Sequence, residues 1–239
     1  MEVNNMKIND VTSDVGVKVL IETLGKIPLN KPRIVDLGCG DGYLTSIVAN
    51  FLKASEVYGI DIQDRLLEKA KMRGIITYKV DLNWEKLPLK DNYFDLALAS
   101  EVIEHLLNPD NLLEESYRIL KPGGYLVIKT PNLSSWMNRI YMLLGYQPPD
   151  METSTKIRVG HPWRQHEPPS GHIRPFTARA IKELLEYYNF MVIKIRGFPH
   201  NKRSLPKIMY LVDKLLARRY TLAHWMVVLS KKPEGISSA

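Results

Sequence analysis

The sequence predicts an α/β fold in which a seven-stranded, mostly parallel sheet carries helices on both of its faces. Apolar runs that are typical of strands alternate with helical patterns, and this alternation indicates βαβ units around a parallel sheet. A glycine-rich turn follows the first strand and opens a helix, where folds of this class bind ligands. The chain of 239 residues is long enough for one such domain with insertions.

Seven apolar segments are predicted to be strands. They are residues 33–37, 57–62, 76–81, 94–99, 125–130, 192–196 and 224–230. Amphipathic patterns predict helices at residues 7–25, 43–53, 64–72, 109–120 and 177–188. The helix that begins at Pro109 has Asn108 as its N-cap, and the Pro122-Gly123-Gly124 sequence stops it before the next strand.

Charge is distributed unevenly along a chain whose net charge is +7. Residues 1–150 contain 17 Lys and Arg against 20 Asp and Glu, whereas residues 151–239 contain 16 against 6. A basic region attracts nucleic acid, anionic lipid or an acidic small molecule, or it is simply a solvated surface. The single cysteine excludes an internal disulfide, and no segment approaches the roughly 20 apolar residues of a membrane span. We therefore expect a cytoplasmic protein.

The glycine-rich turn, with the sequence DLGCGDG from Asp36 to Gly42, indicates a ligand that is not a phosphate. A dinucleotide fingerprint would need glycine where Tyr43 stands, and the Gly-Lys-Ser/Thr of a P-loop is absent. The two carboxylates of Asp36 and Asp41 flank the turn and would repel a phosphate. The turn is therefore suited to a ligand that carries positive charge.

Five motifs in the correct order resemble those of class I S-adenosylmethionine-dependent methyltransferases, and in particular the ubiquinone-biosynthesis O-methyltransferase (methyltransferase type 11) group. VDLGCGDG closely resembles motif I, VYGID ends in an acidic residue about twenty positions later, and FDLALASEVIEHL resembles motif IV. YKVDLNWEKLP and LKPGGYLVIKTP match the segments on either side of motif IV. The resemblance covers roughly residues 30–131, and HIRPFTARAIKELLEYYNF extends it.

The resemblance implies a Rossmann-like sheet whose last strand is antiparallel, and S-adenosylmethionine as the cofactor. The sulfonium and ammonium groups of this cofactor would explain the acidic flanks of the turn. By the same resemblance, Asp61 accepts hydrogen bonds from the ribose hydroxyls, while Asp81 and the Leu82 N–H contact the adenine. The cofactor-binding residues that we expect are Asp36, Gly38, Cys39, Gly40, Tyr43, Asp61, Ile62, Asp81, Leu82, Ser100 and Glu101.

The chain is predicted to have three parts. Residues 1–131 form an N-terminal helix and the cofactor-binding core. Residues 132–175 have no strand signal and many prolines, so they are predicted to be a lid or an acceptor-binding insertion. Residues 176–239 complete the core and include a basic helical insertion near residues 204–219.

The EVIEH segment after the fourth strand supplies candidate catalytic residues. If residues 101–105 are helical, Glu101, Glu104 and His105 share one face, as a general-base cluster or as part of a divalent metal site. The segment resembles the one that holds Mg²⁺ in ubiquinone-biosynthesis O-methyltransferases, and equally that of small-RNA 2′-O-methyltransferases, in which a downstream histidine completes the site. The resemblance implies His172, in SGHIRPFT, as the counterpart in this chain, although the sequence around it does not match that subfamily. We predict His105, Glu104 and His172 as catalytic residues. Three possibilities stay open: these three residues and Glu101 bind a metal ion, His105 acts as a general base, or neither role applies.

Two later segments have apolar stripes at helical spacing. One contains Trp136, Met137, Ile140, Tyr141 and Leu144, and the other contains Leu205, Ile208, Met209, Val212, Leu215 and Leu216. Such stripes usually pack into the core, so core packing is the expectation. The alternative is contact with an anionic membrane, because lysines and arginines accompany the second stripe.

Three functions remain open at this point. The leading hypothesis is methyl transfer from S-adenosylmethionine to an oxygen of a small or lipid-linked acceptor, by a protein that is cytoplasmic or peripheral at a membrane. The alternative is an RNA 2′-O-methyltransferase with a Glu/Glu/His metal site, although the sequence has no evident nucleic-acid-binding module. A further alternative is a non-catalytic methyltransferase-like partner subunit. The acceptor and the oligomeric state are not predicted.

Overall fold

A computed structural model describes residues 14–161, 168–200 and 205–234, and these residues form a single seven-stranded sheet. The strand order is β3-β2-β1-β4-β5-β7-β6, and β7 pairs antiparallel with both of its neighbours while β1 to β5 pair in parallel. The strands are β1 (Arg33–Leu37), β2 (Glu56–Asp61), β3 (Ile76–Lys79), β4 (Phe94–Ser100), β5 (Leu120–Pro131), β6 (Met191–Phe198) and β7 (Trp225–Lys231). The predicted fold class, including the antiparallel last strand, is confirmed.

Helices cover both faces of this sheet, as predicted. They are α1 (Val15–Leu24), α2 (Tyr43–Leu52), α3 (Asp64–Met72), α4 (Pro109–Ile119), α5 (Trp136–Leu143), α6 (Ala178–Tyr187) and α7 (Lys207–Leu216). Successive residues of a strand point to opposite faces, and the core divides accordingly. Val35 of β1 belongs to the cluster that includes α4 and α6, whereas Ile34 packs with α1 and α2.

Several predicted boundaries move by a few residues. The helix predicted from residue 7 is described only from Val15, because residues 1–13 lie outside the described part. Asp14 caps it, with Oδ1 accepting from the Gly16 N–H at 2.7 Å. The fifth strand begins at Leu120 and therefore includes the Pro122-Gly123-Gly124 sequence. Leu120 pairs with Phe94 of β4, and the Gly123 N–H donates to the Lys232 carbonyl next to β7.

Asn132 anchors the insertion that was predicted at residues 132–175 to the sheet. Its buried side chain donates to the carbonyls of Tyr220 (3.1 Å) and Ala223 (2.9 Å), just before β7. Asn132 also forms a bridge with Phe176, so the two ends of the insertion meet. Ser135 begins α5 inside it by accepting from the Asn138 N–H; residues 162–167 lie outside the described part.

The expectation that the apolar stripes of α5 and α7 pack into the core is wrong. Leu144 of the first stripe is 65% exposed, and Ile208 of the second is 77% exposed. Each helix instead buries polar groups: Asn138 is the buried residue of α5 and Asp213 that of α7. Within the described ranges, none of the helices has both the length and the apolar character that a bilayer crossing requires.

Candidate active site

The glycine-rich turn between β1 and α2 adopts a backbone that other residues enter only with strain. Gly38 has a φ of +85°, and a Cβ there would lie 2.7 Å from Cγ2 of Val102. Gly40 has a φ of +54°. The N–H groups of Gly38 and Cys39 both donate to the Ile60 carbonyl, so the turn is tied to the end of β2. Glycine is needed because the chain must turn with positive φ under Val102.

Two carboxylates follow the neighbouring strands at the same edge of the sheet. Asp61 ends β2, where it accepts from the N–H of Gly40 (2.9 Å) and from that of Gln63 (2.9 Å). Asp81 follows β3 and accepts from the backbone N–H and side-chain amide of Asn83. Both carboxylates are oriented and half-exposed. Their roles as the ribose and adenine contacts stay predictions.

Asp36 is more deeply placed than the other predicted cofactor contacts. It is buried, and its Oδ2 accepts from Oγ1 of Thr45 in α2 at 2.6 Å. Its Oδ1 has no hydrogen-bond partner among the described residues. Burial raises the pKa of Asp36 to about 6, against the Thr45 hydrogen bond. The Asp36 side chain therefore joins the turn to α2, and a nearby cation would stabilise its ionised form.

The helical turn expected over residues 101–105 does not form, and the shared face of Glu101, Glu104 and His105 is wrong. Glu101 has a φ of +57° and its N–H donates to the Lys129 carbonyl. Its carboxylate forms an ion pair with the Lys129 ammonium. A single 3₁₀ turn spans only Ile103–His105. The left-handed residue redirects the chain after β4, and Glu101 therefore lies outside the cluster of groups that could hold a metal.

Glu104, His105 and His172 do come together, and their potential ligand atoms all lie within 4.8 Å of one another. Oε2 of Glu104 accepts from Oγ1 of Thr130 at 3.0 Å. Oε1 of Glu104 and Nδ1 of His172 are buried, and neither has a hydrogen-bond partner in the described structure. Such unpartnered buried atoms are costly unless a ligand, proton or ion uses them.

Backbone contacts explain how His172 reaches a site so distant in sequence. The N–H groups of Ile173 and Arg174 both donate to the Glu104 carbonyl, at 2.8 and 2.9 Å. The ring of His172 consequently lies with its centroid 4.9 Å from that of His105. On the other side, Nδ1 of His105 is 3.0 Å from the carbonyl oxygen of Gly171.

Burial shifts the protonation of this cluster toward neutral forms. It raises the pKa of Glu104 to about 7, although hydrogen bonds, including that from Thr130, act in the opposite direction. It also lowers the pKa of His172, and the neighbouring His105 lowers it further. Near neutral pH the cluster therefore contains a carboxyl close to its midpoint and an uncharged imidazole.

Glu152 holds the segment that presents His172, and it was not predicted from the sequence. Its carboxylate accepts from three successive backbone N–H groups, those of Ser170, Gly171 and His172, at 2.5 to 3.0 Å. Burial acts to raise the pKa of Glu152, but these donors and Arg158 outweigh it and the pKa falls below its usual range. This carboxylate fixes the segment that presents His172. No motif could reveal it, because its partners are backbone groups of a segment distant in sequence.

A cavity of about 660 Å³ opens beside the cluster. Its wall combines polar residues with apolar residues of α5 and α7. Among them are Glu101, His105, Met137, Tyr141, Asp150, His172, His200, Met209, His224 and Trp225. Its size fits a small molecule or part of a larger one.

A second polar group in this wall was also missed by the sequence analysis. Oδ2 of Asp150 accepts from the Asn138 amide at 2.9 Å, and its Oδ1 lies 3.8 Å from Nε2 of His224. The rings of His224 and His200 stack with centroids 4.0 Å apart. These residues come from α5, the insertion and the segments that flank α7, so no local spacing connects them.

Comparisons with known proteins agree with this architecture. A family model described as a methyltransferase domain matches residues 16–195. A malonyl-[acyl-carrier protein] O-methyltransferase of a Marinomonas species is 35% identical over 125 residues, which are 51% of this chain and 46% of that protein. A mitochondrial ubiquinone biosynthesis O-methyltransferase of Dictyostelium discoideum is 27% identical over 207 residues, with coverages of 77% and 59%.

Solved structures show the same fold. A methyltransferase of Thermotoga maritima, described as S-adenosylmethionine-dependent and a possible histamine N-methyltransferase, superposes with a TM-score of 0.65 at 23% identity, covering 94% of this chain and 91% of that one. The chain spans about half the length, or less, of the first curated relatives it matches. The resemblance drawn from the motifs is confirmed, and with it S-adenosylmethionine as the family's cofactor. The chain belongs to the methyltransferase domain family.

Proposed function

We propose that this protein transfers a methyl group from S-adenosylmethionine to a hydroxyl oxygen of a small or lipid-linked acceptor bound in the 660 Å³ cavity. The observation that carries the proposal is the placement of His105, which lines this cavity next to Glu101, the residue that follows β4 at the edge of the predicted cofactor site. Relatives named as O-methyltransferases support oxygen as the target. Others are named as C-methyltransferases, so carbon is the competing target.

The hydrogen bond of His105 determines which of its ring nitrogens can accept a proton. The Gly171 carbonyl can only accept, so in neutral His105 the proton lies on Nδ1, 3.0 Å from that oxygen. Nε2 then carries the lone pair. In the proposed step the acceptor oxygen attacks the methyl carbon in line with the sulfonium, an O–C bond forms and the C–S bond breaks. The electron pair of that bond goes to sulfur, and the hydroxyl proton goes to Nε2 of His105.

A divalent cation at Glu104, His105 and His172 is the competing candidate, because it would take the Nε2 lone pair of His105 that the base role needs. The unpartnered Oε1 of Glu104 and Nδ1 of His172 support it, because both are electron-pair donors with nothing to bind among the described residues. One carboxylate and two imidazoles suit Mn²⁺, Co²⁺ or Zn²⁺ better than Mg²⁺, which prefers oxygen ligands. Such an ion would lower the pKa of an acceptor hydroxyl.

An activity assay that separates cofactor binding from transfer tests the proposal. The probe is transfer of labelled methyl from S-adenosylmethionine to a catechol, with and without a polyprenyl tail, because two relatives are named for ubiquinone biosynthesis. We expect His105→Ala to lower kcat by about 10²–10⁴-fold while calorimetry shows unchanged cofactor affinity. Unchanged kcat would remove His105 as the base. Chelator treatment that leaves turnover intact would remove the cation.

The RNA 2′-O-methyltransferase alternative stays a prediction. The meeting of Glu104, His105 and His172 favours it, whereas the separation of Glu101 from them goes against a Glu/Glu/His site. Methyl transfer to a single-stranded RNA oligonucleotide, with none to either catechol, would establish it in place of the proposal. The partner-subunit alternative predicts cofactor binding without transfer to any of these acceptors.

A further inference from the structure

We propose that α5 and α7 form a surface that docks on an anionic lipid bilayer and turns the mouth of the cavity toward it. The surface consists of residues 136–146 and 205–219 and is called here the α5–α7 surface. Docking depends on this surface alone. That the acceptor enters the cavity from the bilayer rests on the proposed function.

Large apolar side chains are concentrated on this surface. In α5 and the turn after it, Met142 is 62% exposed, Leu143 85% and Leu144 65%; in α7, Ile208 is 77% exposed and Leu215 59%. Soluble proteins rarely leave such contiguous apolar groups in water without a partner. The helices are too short to span a bilayer and are suited to lying in its interface.

The two helices meet at one hydrogen bond, and both contribute side chains to the wall of the cavity. Nε1 of Trp136 in α5 donates to Oδ1 of Asp213 in α7 at 2.8 Å. Met137 and Tyr141 of α5 and Met209 of α7 line the cavity. An acceptor that leaves a bilayer covering these helices would therefore meet the cavity wall first.

The charge of the surface is positive wherever it faces water. Residues 136–149 contain a single charged residue, Arg139, and residues 205–222 contain Lys207, Asp213, Lys214, Arg218 and Arg219. The only acid among them, Asp213, is fully buried and accepts from Trp136 and from the His200 N–H. Basic groups beside exposed apolar side chains match the headgroups and acyl chains of anionic lipids.

Other occupants match this surface less well. A second copy of the chain would bring the same positive charges face to face, which is unfavourable. An RNA would pair with the lysines and arginines but would leave the apolar side chains without a counterpart. The bilayer satisfies both features at once.

Vesicle flotation with the full chain tests the inference. The probes are vesicles of phosphatidylcholine alone and of phosphatidylcholine mixed with phosphatidylglycerol, without cofactor or acceptor. We expect binding to the mixed vesicles that weakens as salt rises, because salt screens the basic side chains. Binding to neither kind of vesicle would overturn the inference, and so would tighter retention on an RNA column than on mixed vesicles.

Variants localise the contact. Leu143→Glu and Ile208→Glu each replace an exposed apolar side chain by an acid, and we expect each to weaken vesicle binding by about tenfold or more. Met72→Glu is the matched control, since Met72 is 82% exposed at the end of α3 and outside the surface. Equal vesicle binding by all three variants would overturn the proposed contact, as would a dimer that Leu143→Glu and Ile208→Glu dissociate.

Activity separates this inference from the proposed function. Leu143→Glu and Ile208→Glu should methylate the catechol without a tail as the unmodified chain does, but lose most transfer to a polyprenylated catechol embedded in vesicles. Vesicle binding without any transfer would refute the proposed function and leave the docking surface standing. Transfer without vesicle binding would do the reverse.

Discussion

Asp61 presents its carboxylate at the carboxyl end of β2 with each oxygen already held by one backbone N–H. A carboxylate oriented in this way needs no rearrangement to accept hydrogen bonds from two ribose hydroxyls. We expect Asp61→Ala to weaken S-adenosylmethionine binding by at least roughly 1.5–3 kcal/mol, the value typical of a hydrogen bond to a charged group. Calorimetry measures it. Unchanged affinity would show that Asp61 is misassigned.

Asp36 gives a pH dependence of stability with a definite sign. Its pKa rises from an ordinary value of 3.8 to about 6 on folding, because burial disfavours the charged form. The folded state therefore holds the proton more tightly than the unfolded state does. The contribution of Asp36 to stability is highest below pH of about 4, falls as the pH rises to about 6, and stays lower above it, by an amount on the order of 3 kcal/mol at most.

Asp36→Asn removes this titration while its amide oxygen can still accept from Thr45. We expect the free energy of unfolding of the variant to lose the fall between pH of about 4 and 6 that Asp36 contributes. Urea denaturation of the cofactor-free protein across this range measures the difference between the two proteins. A difference that does not change with pH would mean that Asp36 ionises normally.

The position of the segment that carries His172 depends on the carboxylate of Glu152. Glu152 accepts from the N–H groups of Ser170, Gly171 and His172, so Glu152→Ala leaves three donors without their carboxylate. We expect faster hydrogen exchange at these amides and a loss of roughly 1–3 kcal/mol of stability. Glu68→Ala is the control, because among the described residues Glu68 forms only an exposed ion pair with Lys71, and its removal should change stability little. Equal effects of the two variants would contradict the role of Glu152.

Elements whose determining residues are close together in the sequence could be predicted, and those that depend on distant partners could not. The turn at Gly38 could be predicted because glycines and flanking acids are adjacent in sequence. The left-handed conformation of Glu101 could not be predicted, because a non-glycine residue adopts it only when its surroundings fix it. Here the Glu101 N–H donates to the Lys129 carbonyl, and the Glu101 carboxylate pairs with the Lys129 ammonium. The stripes of α5 and α7 have the spacing of core helices, and spacing alone cannot distinguish a buried apolar face from an exposed one.

At the scale of the whole molecule, we expect the acidic edge of the sheet to select the ligand that stabilises the fold. A ligand that binds only the native state at 100 times its Kd adds about 2.7 kcal/mol. For a domain of this size each kcal/mol raises Tm by roughly 2–4 °C, so we expect S-adenosylmethionine to raise Tm by roughly 5–11 °C.

The discriminating comparison is with NAD⁺, whose diphosphate would approach the carboxylates of Asp36 and Asp41 beside the glycine turn. Like charges in this cleft repel, and the turn lacks the glycine at position 43 that a dinucleotide fingerprint needs. We expect no change of Tm with NAD⁺, and a smaller rise with S-adenosylmethionine in Asp61→Ala than in the unmodified chain. A rise with NAD⁺ and none with S-adenosylmethionine would mean that the cleft holds a phosphate after all, and the methyl-transfer proposal would fall with it.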